Sequence, residues 1–211
     1  METILAIGAH PDDIEIDCAG SIARAINQGS RVLFYVLTNG NKGGNAEIRK
    51  REALRSAEIL GVEDVIFDNS GDCTLRYDPS LVIRIKSVII RINPNVIYTH
   101  SKDDISTDHA EVGRATLLAS SWLDTKEILA YRGTPQFQNF KPNYFIDIEK
   151  FLDLKEKALR VFESQNVQDK LGLEYITANA AYYGRMANMR YAEAFKVVRY
   201  RVRDFTGLVG T

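Results

Sequence analysis

The chain has 211 residues, of which 45% are hydrophobic and 26% are charged, and these values are ordinary for a soluble globular protein. Its formal net charge is −1, so no global field recruits nucleic acid or an anionic membrane, and no apolar run is long enough for a transmembrane helix. The N-terminus lacks the features of a secretory signal, and the two cysteines, Cys18 and Cys73, indicate a reducing compartment. We therefore expect a cytoplasmic protein.

Apolar runs and segments of helical periodicity alternate along the chain and predict strands that are separated by helices. The predicted strands are 3–8, 31–37, 64–68, 96–99, 127–131, 144–148 and 195–202. The predicted helices are 19–28, 46–60, 80–92, one that begins at Asp108, 150–164 and 168–183. Gly61 follows the second of these helices directly and is its expected C-cap residue.

This alternation predicts an α/β fold with a doubly wound, mostly parallel, Rossmann-like sheet and helices on both of its faces. No linker, low-complexity tract or internal repeat divides the chain, so we expect a single domain over residues 1–211. We expect the part from about residue 140 onwards to complete the pocket. In the common strand order 3-2-1-4-5, strands one and four lie side by side, and ligands bind where their carboxyl ends meet.

The loop Ala9-His10-Pro11-Asp12-Asp13 directly follows the first strand and offers one imidazole and two carboxylates. His10 and Asp13 are three residues apart, so one turn of chain can bring both side chains to a single centre. Taken alone, the tetrapeptide His10-Pro11-Asp12-Asp13 is better explained as an Asx-turn and helix cap without a metal. His109, after the fourth strand, supplies a third ligand at the same crevice. Two imidazoles and one carboxylate suit a catalytic zinc, and equally a non-haem iron, at the carboxyl ends of strands one and four.

Three neighbouring residues are candidates for catalysis. Asp12 is the candidate general base, since a carboxylate beside a metal-activated water can take its proton. Asp108 is either a partner that orients an imidazole or the N-cap of the helix that begins there. His100 ends the fourth strand and is therefore near the crevice, where it either assists catalysis or is a structural histidine.

Arg49 and Glu52 stand three residues apart on the second predicted helix, a spacing that usually marks a solvated surface ion pair. Because the preceding loop at 40–44 is rich in glycine, Arg49 is alternatively a ligand for substrate hydroxyls or a phosphate. That loop lacks the ending of a Walker motif, and no G-x-G-x-x-G follows the first strand. These absences argue against nucleotide and dinucleotide binding.

The chain resembles the LmbE-like (PIG-L-type) de-N-acetylases, and the resemblance covers nearly its whole length. Its most specific part is the Ala-His-Pro-Asp-Asp loop together with the later Asp108-His109. The weaker matching pieces are Thr38-Asn39-Gly40, Lys42-Gly43, Ile48-Arg49, Glu52, Ile59-Leu60-Gly61-Val62, Thr99-His100-Ser101, Asp104, Phe145-Ile146-Asp147-Ile148, Lys155, Ser164-Gln165 and Tyr191-Ala192-Glu193-Ala194-Phe195.

The resemblance implies a metal-dependent hydrolase that removes the acetyl group of a small-molecule amino sugar or glycoconjugate related to N-acetylglucosamine. It implies Zn2+, or alternatively Fe2+ or another divalent metal, on His10, Asp13 and His109. It also implies that Asp12 is the general base, that Arg49 holds the substrate, and that Asp108 orients an imidazole. The sequence is compatible with a homo-oligomer and does not specify the aglycone.

The chain departs from the family pattern at two positions. Ser106 and Phe162 stand where many members carry a histidine, and the resemblance implies that the first of these histidines stabilises the oxyanion. His100 or Ser106 is then the candidate that assists catalysis. Two alternatives to the de-N-acetylase remain open: a weakly active or non-catalytic sugar-binding member that keeps the metal site, and a metal-dependent amidase for another acyl-amine.

Overall fold

The computed structural model describes residues 1–135, 139–166 and 172–201. The strands are β1 (Thr3–Gly8), β2 (Arg31–Thr38), β3 (Asp64–Ser70), β4 (Val96–His100), β5 (Glu127–Tyr131), β6 (Tyr144–Asp147) and β7 (Ala192–Tyr200). The helices are α1 (Asp13–Asn27), α2 (Ala46–Leu60), α3 (Pro79–Ile92), α4 (Thr107–Ala119), α5 (Leu152–Arg160), α6 (Glu163–Asn166) and α7 (Leu173–Met186), and a 3-10 helix (Glu149–Phe151) precedes α5.

The strands form one seven-stranded sheet in the order β3-β2-β1-β4-β5-β7-β6. The first five strands pair in parallel, while β7 pairs antiparallel with both β5 and β6. The predicted doubly wound sheet and its order 3-2-1-4-5 are therefore confirmed, with two antiparallel strands added at one edge. The order reverses between β1 and β4, and the chain leaving these strands borders the crevice at the switch point.

Side chains that alternate along β1 enter two separate cores, which explains why the strand is apolar throughout. Ile4 and Ala6 pack in the cluster that includes Ile22 of α1, on one face of the sheet. Leu5 and Ile7 pack on the other face, in the cluster that includes helices α3 and α4. A strand buried on both faces is rigid, so it presents the loop after Gly8 at a fixed place.

The predicted start of the first helix was wrong, because α1 begins at Asp13 and not at residue 19. Its first two turns contain buried acidic residues, among them Asp13 and Glu15, and these polar positions hide the helical periodicity. The predicted helix over 150–164 is divided into the 3-10 helix, α5 and α6. The last strand starts three residues earlier than predicted, at Ala192, while positions 168–171 and 202 lie outside the described residues.

Two glycines set features of the fold that matter for the crevice. Gly61 has a φ of 80° at the end of α2, as expected for a C-cap residue. Gly113 lets α4 approach the end of β4, because an added Cβ would lie 2.6 Å from the carbonyl oxygen of His100. Since His109 lies one turn before Gly113, this close approach brings its side chain to the crevice.

None of the helices in the described parts of the chain has both the length and the apolar character needed to cross a membrane.

Candidate metal centre

Three predicted ligands meet at the switch point. His10 follows β1, Asp13 opens α1, and His109 lies in the first turn of α4. His10 Nδ1 is 3.3 Å from Asp13 Oδ2, while His109 Nε2 is 3.3 Å from Asp13 Oδ1 and 3.3 Å from His10 Nδ1. The chain therefore holds two imidazole nitrogens and one carboxylate together, and each imidazole faces a different oxygen of Asp13.

This cluster fits a tetrahedral zinc. Donors that bind zinc at ~2.0–2.1 Å in tetrahedral geometry lie about 3.3–3.4 Å from one another. The two imidazole nitrogens are 3.3 Å apart, and each lies 3.3 Å from one oxygen of the Asp13 carboxylate. Three protein ligands leave the remaining position of such a centre open for water or substrate, as catalytic zinc sites require. The donor set therefore fits a catalytic divalent metal.

The second ring nitrogen of His10 lies between two carboxylates. Its Nε2 is 3.2 Å from Asp108 Oδ2 and 3.2 Å from Asp72 Oδ1. Asp108 also accepts the backbone N–H groups of Cys73 (2.8 Å) and Leu75 (3.2 Å). The structure thus places Asp108 against an imidazole and not at the helix cap, since the N-cap residue of α4 is Ser106. Such carboxylates orient a ligating histidine and strengthen it as a donor.

His109 has its own carboxylate partner in Asp104, whose Oδ2 lies 3.1 Å from His109 Nδ1. Asp104 is fixed in turn by the N–H groups of Ser106 (2.8 Å) and Thr134 (3.1 Å). Gly133 packs directly over this pair: its φ is +75°, and an added Cβ would lie 2.8 Å from His109 Nδ1. The loop after β5 therefore needs a glycine at this position.

The carboxylates around the two imidazoles strongly favour positive charge. Burial lowers the pKa of His10, but the carboxylates of Asp13, Asp108 and Asp72 outweigh burial and raise it to about 12. Burial also lowers the pKa of His109, and Asp13 and Asp104 raise it to about 10. A bound cation would satisfy the same carboxylates that favour these protons.

His100 is 1% exposed and packs against the ligands from within the protein. Its ring stacks on that of His109 with centroids 4.0 Å apart, and its Nε2 accepts the N–H of Ala9 (3.1 Å) and lies 3.1 Å from Asp13 Oδ2. Burial, together with the neighbouring His109, lowers the pKa of His100 to about 4 against the opposing effect of Asp13. The neutral ring packs behind His109, and its Nε2, which accepts from Ala9, has no proton to donate to Asp13.

Asp12 lies beside the ligands in an unusual backbone conformation. Its φ is 105°, a value that residues other than glycine adopt only under strain and that often marks a functional site. Its carboxylate is buried, and Oδ2 lies 3.1 Å from Arg49 Nη2. Burial raises the pKa of Asp12 to about 7 although the Arg49 guanidinium lowers it. A carboxyl with this pKa can exchange a proton near neutral pH.

Arg49 is 5% exposed and connects two loops to Asp12. Its Nη1 donates to Gly40 O (2.8 Å) and its Nη2 to Pro11 O (2.6 Å). The interpretation of Arg49 and Glu52 as a surface ion pair was wrong, because both are buried and Glu52 instead accepts the N–H of Ser164 (2.8 Å). Their contacts come from distant parts of the chain.

The glycine-rich loop after β2 makes room for this guanidinium. A Cβ at Gly40 would overlap Arg49, and one at Gly43 would lie 2.7 Å from Arg49 Nη1. Gly40 also has a positive φ of 62°. The loop that resembles a phosphate cradle in composition is therefore filled by an arginine of the same chain.

The two departures from the family pattern have different surroundings. Ser106 is half-buried at the start of α4, and its side chain makes no capping hydrogen bond. Phe162 is fully buried in a small apolar cluster with Ala53. Position 162 thus supplies packing, whereas Ser106 belongs to the loop that holds Asp104 and donates its backbone N–H to that carboxylate.

Asp72 and Asp104 are site residues to which the sequence analysis assigned no role. Each is an aspartate in a polar loop, at 71–75 and 101–106, and such residues are usually solvated. The position of Asp104 in the loop between β4 and the proposed ligand His109 was a signal that could have identified it. Asp72 had none, because its partners lie about 30 and 60 residues away in the chain.

The chain is similar to a known family and to several known proteins. The family model described as PIG-L, GlcNAc-PI de-N-acetylase, matches residues 5–120. The diacetylchitobiose deacetylase of Thermococcus kodakarensis is 30% identical over 94% of this chain and 84% of its own length. The 4-oxalmesaconate hydratase of Pseudomonas putida is 26% identical over 97% of this chain and 92% of its own. The crystal structure of a conserved protein from Thermus thermophilus is similar with a TM-score of 0.86 and 25% identity, covering 98% of this chain and 99% of that one.

Asp17, one turn after Asp13 on α1, makes the stability of this region depend on pH. Its Oδ2 accepts the N–H of Gly133 (3.0 Å), and burial raises its pKa to about 7, with Arg132 and Lys155 opposing the shift and Glu193 adding to it. The unfolded-state value is about 3.9. Because the folded-state pKa is the higher one, the folded protein binds more protons, and the stabilisation present at low pH is lost as pH rises through about 7.

Asp17→Asn stays neutral and keeps an acceptor oxygen. We predict that its unfolding free energy, relative to that of wild type, increases by about 1 kcal/mol or more when the pH is raised from about 5 to about 8. Urea denaturation of the metal-free proteins at several pH values measures this difference. The exposed Asp153→Asn is the control. A difference between variant and wild type that does not change with pH would contradict the prediction.

Proposed function

The chain belongs to the PIG-L family, and on that premise we propose that it is a zinc-dependent hydrolase that removes the N-acetyl group of an N-acetylglucosamine-type sugar or glycoconjugate. The observation that carries the proposal is the cluster of His10, Asp13 and His109 beside the buried Asp12. Its two imidazole nitrogens are 3.3 Å apart, and each is 3.3 Å from an oxygen of Asp13. The deacetylase among its relatives supports the same reaction.

In this proposal His10, Asp13 and His109 hold the metal, with Zn2+ as the first choice and Fe2+ or another divalent metal as alternatives. When bound, the ion would polarise the acetyl carbonyl and lower the pKa of the attacking water towards ~7. Asp72 and Asp108 would keep the ring of His10 oriented, and Asp104 the ring of His109, through the contacts given above.

Asp12 is the proposed general base. It takes a proton as the water oxygen bonds to the acetyl carbon, and it returns that proton to the sugar nitrogen as the C–N bond breaks. The products are acetate and the free amine. Its unusual backbone conformation and its contact with Arg49 support this role, because both fix the carboxylate beside the ligands.

His100 and Ser106 remain candidates for assisting the reaction. The burial of His100 at 1% exposure favours a role in packing behind His109 over direct contact with the substrate. Ser106 has a hydroxyl without a capping bond, and a neutral hydroxyl is a weaker oxyanion donor than a protonated imidazole. We therefore propose Ser106 as the donor at the position where other members carry histidine.

The direct test is the release of acetate from small N-acetyl sugars by the purified, zinc-loaded protein. N-acetylglucosamine and diacetylchitobiose are suitable first substrates, since a deacetylase of the latter is a relative. The proposal is supported if the protein binds one equivalent of zinc and the zinc-loaded protein releases acetate. A zinc-loaded protein that releases no acetate from any N-acetyl sugar would contradict the proposed reaction.

Substitution of the two adjacent aspartates separates their proposed roles. We predict that Asp12→Asn keeps one equivalent of zinc and loses about 10²–10⁴-fold in turnover, since it removes only the base. Asp13→Asn should instead weaken zinc binding, as should His10→Ala and His109→Ala, because each removes a ligand. Elemental analysis and acetate release measure both effects. Wild-type turnover in the Asp12 variant would show that another group takes the proton.

Arg49→Lys tests whether Arg49 positions the base or binds the substrate, as the family resemblance implies. An ammonium cannot reach Pro11 O, Gly40 O and Asp12 together, so we predict a decrease of about 10–10²-fold in kcat with zinc content unchanged. Steady-state kinetics measure it, and the exposed neighbour Arg51→Lys is the control. A raised KM at an unchanged kcat would instead assign Arg49 to substrate binding.

A further inference from the structure

A buried ion pair joins the C-terminal part of the chain to the middle of α1. Lys155 of α5 and Glu193 of β7 are each 3% exposed, and Lys155 Nζ lies 2.6 Å from Glu193 Oε1. Removing two charges from water costs more than an ordinary ion pair returns, so such a pair needs further hydrogen bonds. Here those bonds come from the backbone of α1.

Each member of the pair contacts main-chain groups of the helix. Glu193 accepts the N–H groups of Gly20 (2.9 Å) and Ser21 (2.7 Å), while Lys155 donates to the carbonyl oxygen of Ile16 (2.5 Å). In a regular α-helix the N–H of Gly20 bonds to the carbonyl of Ile16. The ion pair thus acts at the two ends of one helical hydrogen bond, where an inserted group can bend a helix.

Gly20 allows this approach. A Cβ at this position would lie 2.8 Å from the side chain of Ile148, which follows β6. At Gly20, α1 therefore packs its backbone directly against the side chain of Ile148. Gly20 separates the N-terminal turns of α1 from its remaining turns.

A short path leads from the ion pair to the candidate metal centre. Ile16 accepts from Lys155 through its carbonyl, and its N–H donates to the carbonyl of Asp12 (2.9 Å). Asp12 and Asp13 are the proposed base and ligand, and they start the helical turn that ends at Ile16. The position of Ile16 therefore sets the position of this turn.

We propose that the Lys155–Glu193 ion pair positions the first turn of α1, and with it Asp12 and Asp13, for metal binding. The inference rests on the proposed metal site. Lys155 and Glu193 are positioning residues. They act on Asp12 and Asp13 through the backbone of Ile16, Gly20 and Ser21. The C-terminal part thus contributes to the metal site without supplying a ligand.

The test replaces both charges by apolar groups of similar size, in the double variant with Lys155→Met and Glu193→Leu. Replacing both members leaves no single charge buried, so the protein is expected to fold. Zinc affinity, measured by competition with a chromophoric chelator, should fall about 10-fold or more, in the range seen when groups that orient ligands are removed. The control is the double variant with Arg31→Met and Glu63→Leu, which removes a surface ion pair. The zinc affinity of this control should equal that of wild type.

A second readout needs no metal. In the metal-free double variant, the amide of Ile16 should exchange with solvent faster than in wild type, because its turn is no longer held. If the double variant does not fold, Glu193→Gln is used instead, because it keeps an acceptor oxygen. It should weaken zinc binding several-fold.

A folded variant with wild-type zinc affinity and wild-type protection of Ile16 would overturn the proposal while leaving the metal site intact. The same conclusion holds if Glu193→Gln, used in place of an unfolded double variant, binds zinc as wild type does. Failure of the wild-type protein to bind zinc would overturn the metal site and this inference together.

Discussion

The arrangement of the site depends on the close approach of three ligand atoms from two strand ends. His10 Nδ1, His109 Nε2 and the carboxylate of Asp13 lie 3.3 Å apart, although His10 and His109 are 99 residues apart in the chain. Adjacent parallel strands at the point of order reversal bring these loops together. Strands buried on both faces keep the two ends from shifting, and Gly113 allows α4 to come close enough for His109 to reach the centre.

The strand order brings the imidazoles and the Asp12 carboxylate close together, and the surrounding residues hold them in place. Carboxylates hold the outer nitrogen of each imidazole, and the loops that supply them are held by backbone N–H groups in turn. Arg49 holds the loops after β1 and β2 together and contacts Asp12 from within the protein. Such a support reduces the freedom of the reacting groups before substrate arrives, which is how enzymes gain rate from positioning.

The fold and the meeting of His10, Asp13 and His109 were predictable from the sequence for a physical reason: strand alternation and the switch-point rule act on patterns visible in single segments. The residues that hold these side chains in place could not be predicted in this way. Asp72 and Asp104 look like loop aspartates until the fold places them beside imidazoles, and Arg49 has the spacing of a surface ion pair while its partners lie elsewhere. The start of α1 was missed because its first turns bury acidic side chains that serve the site, against the usual apolar pattern.

The central claim is that His10, Asp13 and His109 form a zinc centre of nitrogen and oxygen donors, and X-ray absorption at the zinc edge of the loaded protein tests it most directly. The account predicts two imidazole nitrogens with oxygen donors at about 2.0–2.1 Å and no sulfur. The exposed Cys73, whose N–H bonds to Asp108, is the nearby thiol that offers an alternative donor. A sulfur at about 2.3 Å, or a spectrum without imidazole, would contradict the account.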